Sequence, residues 1–227
     1  MQPTHTLYSP LMRQYKAVSH RDARLVVSFC KTNEVAIAAL SGEEYFAIWT
    51  DFMDALHAVG DWGYLPAVAD EVVYYTIANN IKYYNGEDIY LKALYLKSLS
   101  LYYLFGTAQA IAILGELLRL QPTSRRYAVL LRKCYARERS AGVRFLYASA
   151  IGLYVLAAVA VLVHVFYIQP FVPMLHAAAV GVQWSLLLGA GAVAGAGWWR
   201  HRRMTTRRVQ QQQALALARR KAITQGI

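Results

Sequence analysis

Hydrophobic and polar positions divide the chain into two parts with different patterns. Between Arg144 and Arg200 the sequence contains no Asp, Glu, Lys or Arg. Two apolar runs, residues 145–167 and 174–199, fill this interval and are joined by a short turn that contains proline. A bilayer core of about 30 Å is crossed by about 20 helical residues, so each run is long enough to span a membrane. The pattern predicts a transmembrane hairpin over residues 141–199.

Residues 1–140 show helical periodicity and almost no strand-like alternation, which predicts an all-α domain. Ser9, which is followed by proline, has the sequence of a helix N-cap, and Ser41 with Glu44 has the spacing of a capping box. Asp88 is expected to cap a later helix. The positions expected to interrupt the helices are Gly60-Asp61, Asn79-Asn80, Asn85-Gly86, Gly106 and Pro122.

One stretch of this helical region has the residue spacing of a known repeat. Residues 91–122 resemble one tetratricopeptide repeat, a unit of two helices and 34 residues. The positions that carry the resemblance are Leu94, Leu101, Gly106, Ala110, Leu114, Leu118, Leu120 and Pro122. A weaker match contains Phe46, Trp49, Phe52, Leu56 and Gly60, and residues 125–139 have the spacing of a further first helix. The sequence departs from the family pattern at Lys97-Ser98 and Leu117.

The resemblance implies a stack of helical hairpins whose first helices line a concave face that binds a peptide or another protein. On this register the face contains Asp54, His57, Lys92, Tyr95, Tyr102, Tyr103, Arg126 and Lys133. A surface rich in tyrosine suits peptide binding because rigid aromatic rings give a large contact area at a low cost in conformational entropy. Two alternatives stay open: the helices form a generic hairpin array, and Tyr95 and Tyr102 pack against a neighbouring helix.

Charge is distributed as unevenly as hydrophobicity. Residues 1–118 contain 8 Lys and Arg against 12 Asp and Glu, whereas residues 119–227 contain 16 against 1. Basic residues flank the apolar runs and are missing from the turn between them, so the positive-inside rule predicts that both chain termini are cytoplasmic, at a bacterial inner membrane. The basic residues after the second run, expected to contact anionic lipid, are Arg200, Arg202, Arg203, Arg207 and Arg208. Because the basic excess follows the spans, no nucleic-acid partner is expected, and residues 200–227 are expected to be a mobile basic tail.

The apolar runs contain two sets of residues that bear on more than anchoring. The first is a set of small residues at four-residue spacings that favours close helix contact: Gly181, Ser185, Gly189, Gly191 and Gly195. Its partner is either the first run, at Ala148 and Gly152, or a second copy of the chain. The second set is His164 and His176, which lie near the turn and could face each other, with Gln183 two helical turns further along. Two ligands fall short of a closed metal site, so no metal or cofactor is expected, although a redox or proton-transfer subunit is a third hypothesis.

No motif for phosphate binding, for a nucleophilic serine or for a zinc protease occurs in the sequence, so no catalytic residue is assigned and no enzyme activity is expected. Cys30 and Cys134 lie in the region assigned to the cytoplasm, where a structural disulfide is disfavoured. The leading hypothesis is a membrane-anchored adaptor or scaffold that binds a protein or peptide on its cytoplasmic helical domain. The alternative is an oligomeric two-span pore or effector module that is gated by this domain.

Overall fold

Helices make up nearly all of the regular structure, and the predicted all-α class is confirmed. The structure is a computed structural model, and it describes residues 8–18, 22–40, 42–138, 141–171 and 173–225. Ser41 of the expected capping box and the last residues of the expected helix 125–139 lie outside the described residues. The chain forms two units, Met1–Cys134 with Ala216–Ile227 and Tyr135–Leu215.

The first unit contains eight described helices, one short β-hairpin and, from Ala216, the end of a long helix that begins in the second unit. The helices are α1 (Pro10–Ala17), α2 (Ala23–Thr32), α3 (Glu34–Ala38), α4 (Gly42–Val59), α5 (Leu65–Ala78), α6 (Ile89–Tyr103), α7 (Thr107–Leu120) and α8 (Arg125–Arg137), the last of which continues into the second unit. The hairpin pairs β1 (Tyr83–Tyr84) with β2 (Glu87–Asp88). Its turn residues Asn85 and Gly86 both have positive φ, 50° and 79°, which is the backbone that a two-residue hairpin turn requires. The predicted interruption at these residues is therefore a β-turn.

Two helix starts follow directly from local side-chain chemistry. The Ser9 hydroxyl accepts a hydrogen bond from the Met12 backbone N–H at 3.1 Å, with Pro10 in the first turn of α1. The Asp88 carboxylate accepts one from the Leu91 N–H at 3.1 Å at the start of α6. Each cap satisfies a backbone donor that has no partner within the helix. Both predicted caps are confirmed.

The turn between α6 and α7 differs in detail from the expectation for Gly106. The residue in the left-handed region is Phe105, with φ 64°, and Gly106 itself has φ −76°. Gly106 is instead constrained by space, because a Cβ there would lie 3.3 Å from the Leu101 side chain and 3.4 Å from its carbonyl oxygen. The glycine thus permits a close approach of the chain to the end of α6.

Sequential helix packing builds the core of the first unit. Helix α2 packs against α4, α4 against α5, α5 against α6, and α6 against α7. Fully buried side chains on α4 and α5 include Phe52, Met53, Leu56, Leu65 and Val68. The helix pairs α4–α5 and α6–α7 coincide with the two stretches that resemble repeats, while the tetratricopeptide type stays a prediction.

The second unit, which ends at Leu215, is built from two long helices, and the second of them continues beyond the unit. Helix α9 (Ala141–Val163) continues through a π-helical turn (His164–Ile168) into α10 (Gln169–Phe171), and a 3₁₀ turn (Pro173–Leu175) precedes α11 (His176–Gln225). Two stretches, Gly142–Phe171 and His176–Arg219, are long and apolar enough to cross a membrane. Only 11% and 6% of their apolar windows are buried, which is unlike the core helix of a soluble domain.

The prediction of a mobile basic tail after Arg200 is wrong, because α11 continues as a helix to Gln225. Residues 200–225 contain neither glycine nor proline and are rich in strong helix formers such as alanine, arginine and glutamine. The extension is also held by contacts with the start of the second unit. The Gln212 amide donates to the Tyr135 hydroxyl at 2.8 Å, and the His201 ring bonds the Ala136 carbonyl oxygen at 2.9 Å.

Candidate functional site

Two of the charged members of the predicted concave face, Lys92 and Asp54, bond each other. The Lys92 ammonium lies 2.7 Å from the Asp54 carboxylate and 2.8 Å from Glu87. The hydrogen bond from Lys92, followed by its charge, lowers the pKa of Glu87. Arg126 and Lys133 lie on α8 with exposed side chains. A partner that used Lys92 or Asp54 would first have to break this ion-pair group.

The aromatic members of the same face fall into two separate clusters. Tyr95 packs against Tyr127 of α8, with ring centroids 5.6 Å apart. This agrees with the alternative in which Tyr95 packs against a neighbouring helix. In the other cluster Tyr103 stacks on Trp62, with ring centroids 4.3 Å apart. The edge of Tyr102 lies against Tyr103, and His57 lies edge-on to Trp62. The predicted face is therefore divided into an internal ion-pair group and two aromatic clusters.

A groove of about 1010 Å³ lies between α1, the start of α4, the end of α5 and the β-hairpin, and sequence reasoning missed it. We call it the aromatic–acidic groove. The residues that line it are Tyr8, Met12, Tyr15, Lys16, Gly42, Glu43, Glu44, Phe46, Ala47, Asp51, Tyr75, Asn79, Ile81 and Tyr84. Four tyrosines and three carboxylates thus face one lysine. The groove could not be read from periodicity, because its walls come from four elements whose registers are set by tertiary packing.

A buried tyrosine and a carboxylate meet in one wall of the groove. The Tyr15 hydroxyl donates to Asp51 Oδ2 at 3.0 Å, and Tyr15 is only 2% exposed. Burial, followed by the charge of Asp51, raises the pKa of Tyr15, so its hydroxyl stays a donor. Burial and then the same carboxylate raise the pKa of Cys30 to about 12 and also raise that of Tyr84. The groove therefore carries a negative charge that several neighbouring groups experience.

Packed rings form the rest of the groove. Phe46 stacks against Tyr75 at 5.2 Å and meets Tyr84 edge-on at 5.1 Å. The Lys16 ammonium lies 3.3 Å above the centre of the Tyr8 ring, so one tyrosine already makes a cation–π contact. Glu44 accepts a hydrogen bond from the Ser9 backbone N–H at 2.9 Å, which ties α1 to α4. Rigid rings beside carboxylates form a surface suited to a cationic ligand.

His164 and His176, which lie on the two long apolar helices, face each other, as expected. His164 Nε2 and His176 Nδ1 are 2.8 Å apart, and the Gln183 amide donates to His164 Nδ1 at 2.9 Å and to the Ala160 carbonyl oxygen at 3.2 Å. Because His164 Nδ1 accepts from Gln183, its proton lies on Nε2 and is donated to His176. The π-helical turn begins at His164, which is 7% exposed. We call these three side chains the histidine network. Among the described residues, no group of three or more His, Cys, Asp or Glu could hold a metal ion.

The predicted stripe of small residues does not form the contact between the two spans. A Cβ built at Gly181, Gly189, Gly191 or Gly195 would meet nothing within 4 Å, and the Ser185 hydroxyl bonds the Gly181 carbonyl oxygen within its own helix. The expected partner positions are also open, since Ala148 is exposed and Gly152 has no neighbour within 4 Å of a built Cβ. Of the two predicted partners for this stripe, the first apolar run is therefore wrong.

The spans meet instead along positions that recur every seven residues. On α9 and its π-helical turn the buried positions are Val143, Ala150, Ala157 and His164, and on α11 Ala190 and Gly197 continue the spacing of His176 and Gln183. A Cβ at Gly197 would lie 3.4 Å from the Leu146 side chain, so the helices approach closely there. A seven-residue period is the signature of helices that pack along one continuous seam. We call this line of contact the heptad seam. Its signal in the sequence is a set of alanines and a glycine that are seven residues apart.

The arginines predicted to lie at the membrane surface are all exposed on α11: Arg200, Arg202, Arg203, Arg207 and Arg208. Arg208 also lies 5.7 Å from the centre of the Tyr135 ring. The second unit thus combines a polar network, a small-residue seam and a basic helix end. Comparison with family models, with curated proteins and with solved structures finds no match to this chain.

Proposed function

We propose that this protein is a membrane-anchored adaptor that binds a partner protein or peptide on its helical domain. In this proposal α9 and α11 cross a bacterial inner membrane, and the chain termini and the helical domain lie in the cytoplasm. The two long, exposed apolar helices support the anchor. The arginine-rich flanks and the turn without basic residues support the orientation.

The aromatic–acidic groove is the observation that carries the binding function. Its tyrosines offer rigid contact area, and Glu43, Glu44 and Asp51 outnumber its single lysine. The best partner is therefore a segment that contains lysine or arginine, since a cation can lie on a tyrosine ring and bond a carboxylate at the same time. The groove supports binding better than the predicted concave face, where Lys92 and Asp54 already bond each other.

Purified full-length protein in detergent tests this proposal against immobilised peptides of defined charge. A panel of basic peptides and their Lys→Gln counterparts should show binding that depends on the basic residues. The double variant Glu43→Gln/Glu44→Gln and the single variant Asp51→Asn should each weaken that binding at least about tenfold, because a charge-assisted contact is worth more than about 1 kcal/mol. Glu116→Gln removes an exposed carboxylate outside the groove and is the matched control.

Two results would contradict the groove as the binding surface. Peptide binding that is equally strong in the groove variants and in Glu116→Gln would exclude it. Loss of binding only in Tyr95→Ala, Tyr102→Ala or Lys92→Gln would show that the partner binds the predicted concave face instead. Absence of binding to every peptide in the panel would count against recognition of basic segments altogether.

A second candidate function is an oligomeric two-span pore or effector module. It is favoured by the small-residue stripe, because the heptad seam leaves Gly181, Gly189, Gly191 and Gly195 open on the surface of α11. Crosslinking in native membranes should then trap oligomers through cysteines placed at Gly181 or Gly189. Detection of monomers alone, at both positions, would reject this candidate.

A further inference from the structure

Helix α11 carries a patch of tryptophan and arginine at the end of its apolar segment. We call it the Trp–Arg patch, and its residues are Trp198, Trp199, Arg202, Arg203, Thr206 and Arg207. They recur with helical spacing, so that they share one side of α11, and they line an open cleft of about 530 Å³. The two indole rings are 55% and 53% exposed.

Each tryptophan in the patch lies beside an arginine one turn further along. The Arg203 guanidinium carbon is 3.6 Å from the centre of the Trp199 ring, and that of Arg202 is 5.4 Å from the centre of the Trp198 ring. A guanidinium that lies over a ring keeps the N–H groups at its edge available for an anion. The rings thus position two arginines without using their hydrogen-bond donors.

The part of the chain that carries the patch is strongly basic. Residues 119–227 contain one acidic residue, Glu138, against sixteen basic ones. Among the described ion pairs, none involves Arg202, Arg203 or Arg207. The three arginines are therefore not paired with a carboxylate in any described ion pair.

We propose that the Trp–Arg patch binds the phosphate of an anionic phospholipid headgroup in the leaflet next to the basic helix ends. The inference rests on the membrane anchor of the proposed function. Trp198 and Trp199 lie toward the apolar segment, and Arg202 and Arg203 lie about 6 Å further along the axis, at about 1.5 Å per residue. A phospholipid has the same order of apolar chains and phosphate, which a free phosphate ion lacks. Three guanidinium groups favour a headgroup with net negative charge over a zwitterionic one.

Lipid retention by the full-length protein tests this inference. Protein in a neutral detergent is titrated with phosphatidylglycerol or with phosphatidylcholine of the same acyl chains, and native mass spectrometry measures the bound fraction. The protein should retain phosphatidylglycerol at least about tenfold more strongly. Arg202→Gln/Arg203→Gln should weaken that retention about thirtyfold, whereas Arg219→Gln/Lys221→Gln, which removes the same charge further along α11, should change it less than about threefold.

Two more variants separate a built site from general attraction to anionic lipid. Arg202→Lys/Arg203→Lys keeps the charge but loses the planar guanidinium groups, and Trp199→Leu keeps an apolar side chain but removes the ring under Arg203. Each should weaken retention several-fold, with helical circular dichroism unchanged. Equal losses in the two glutamine variants, or full retention in the lysine variant, would overturn the proposal. Displacement of the lipid by equimolar inorganic phosphate would also overturn it, because the site would then recognise phosphate alone.

Failure of this inference is distinguishable from failure of the membrane anchor. Alkaline carbonate extraction of native membranes should leave the wild type and the Arg202→Gln/Arg203→Gln variant in the membrane fraction. Release of the wild type would reject the anchor itself. Retention of the wild type without any preference for phosphatidylglycerol would reject the headgroup site only.

Discussion

The cores of the two units are built in opposite ways. In the first unit large side chains such as Phe52, Met53 and Leu56 are buried at the centre of packed helices. In the second unit the heptad seam combines small residues such as Ala150 and Ala157 with the histidine network, while large apolar side chains such as Leu156 and Leu188 point outward. Burial of apolar surface stabilises a fold in water, but it stabilises little when the surroundings are lipid chains, where close packing and polar contacts between helices take over. This contrast supports the proposed membrane anchor, in which the second unit is surrounded by lipid.

The same substitution in the two units should expose this contrast most strongly. Leu56→Ala removes a side chain that is 0% exposed and should lower the free energy of unfolding of the first unit by about 3 kcal/mol. Leu156→Ala removes one that is 57% exposed and should change the stability of the second unit by less than about 0.5 kcal/mol. Denaturant unfolding of the full-length protein in detergent, followed by circular dichroism, measures both. A loss at Leu156 as large as that at Leu56 would show that the outward face is packed.

Two glycines on α11 test the heptad seam against the predicted stripe. Gly197→Leu places a large side chain where even a Cβ would lie 3.4 Å from the Leu146 side chain, so it should lower the stability of the helix pair by about 2 kcal/mol. Gly191→Leu points into open space and should leave the helix pair unchanged. Unfolding in mixed micelles of dodecyl sulfate and neutral detergent provides the measurement. The reverse order of effects would restore the stripe as the contact surface.

Removal of His164 tests whether polar contacts stabilise the second unit. His164→Ala leaves the Gln183 amide and His176 without their shared partner, and it should lower the stability of the helix pair by about 1.5 kcal/mol. The double variant His164→Ala/Gln183→Leu should recover part of this loss, because it removes the unpaired donor as well. Equal stability of the wild type and His164→Ala, in the same micelle assay, would mean that the network contributes nothing to packing.

The smallest expected effect concerns the groove and is a difference in stability at high pH. The raised pKa of Tyr15 means that the neutral hydroxyl is favoured in the folded state, so its contribution is complete below the unfolded pKa of about 10 and is lost as the pH rises above it. Between pH 9 and pH 11 the free energy of unfolding should fall by about 1 kcal/mol more in the wild type than in Tyr15→Phe. Tyr74→Phe, at an exposed ring, is the control and should follow the wild type. Parallel pH profiles for the wild type and Tyr15→Phe would contradict the burial of this hydroxyl beside Asp51.

Local signals in the sequence predicted several features correctly. The caps at Ser9 and Asp88 depend on contacts within one helical turn, and the two long apolar helices depend on composition alone. The pairing of His164 and His176 followed from their similar distances from the turn. Such features are decided by residues that are close together along the chain, so a single sequence contains the information.

Other features needed side chains from distant segments. The mobile tail was expected because residues 200–227 lack an apolar stripe, but helix-forming residues and the contact of Gln212 with Tyr135 keep α11 helical. The four-residue stripe of glycines was more conspicuous than the seven-residue spacing of Ala150 and Ala157 on which the helices meet. Sequence spacing shows which faces of a helix are possible, and the partner helix selects one of them.

By itself the sequence determined the helical class, the two apolar spans, the helix caps and the division of charge between the acidic first part and the basic flanks. These follow from periodicity, length and composition, which act locally. Only the tertiary structure decided where the aromatic–acidic groove lies, which residues form the heptad seam, and that Asp54 and Lys92 bond each other. Each of these depends on how helices are rotated against one another, and that rotation is set by the packing of whole side chains in three dimensions.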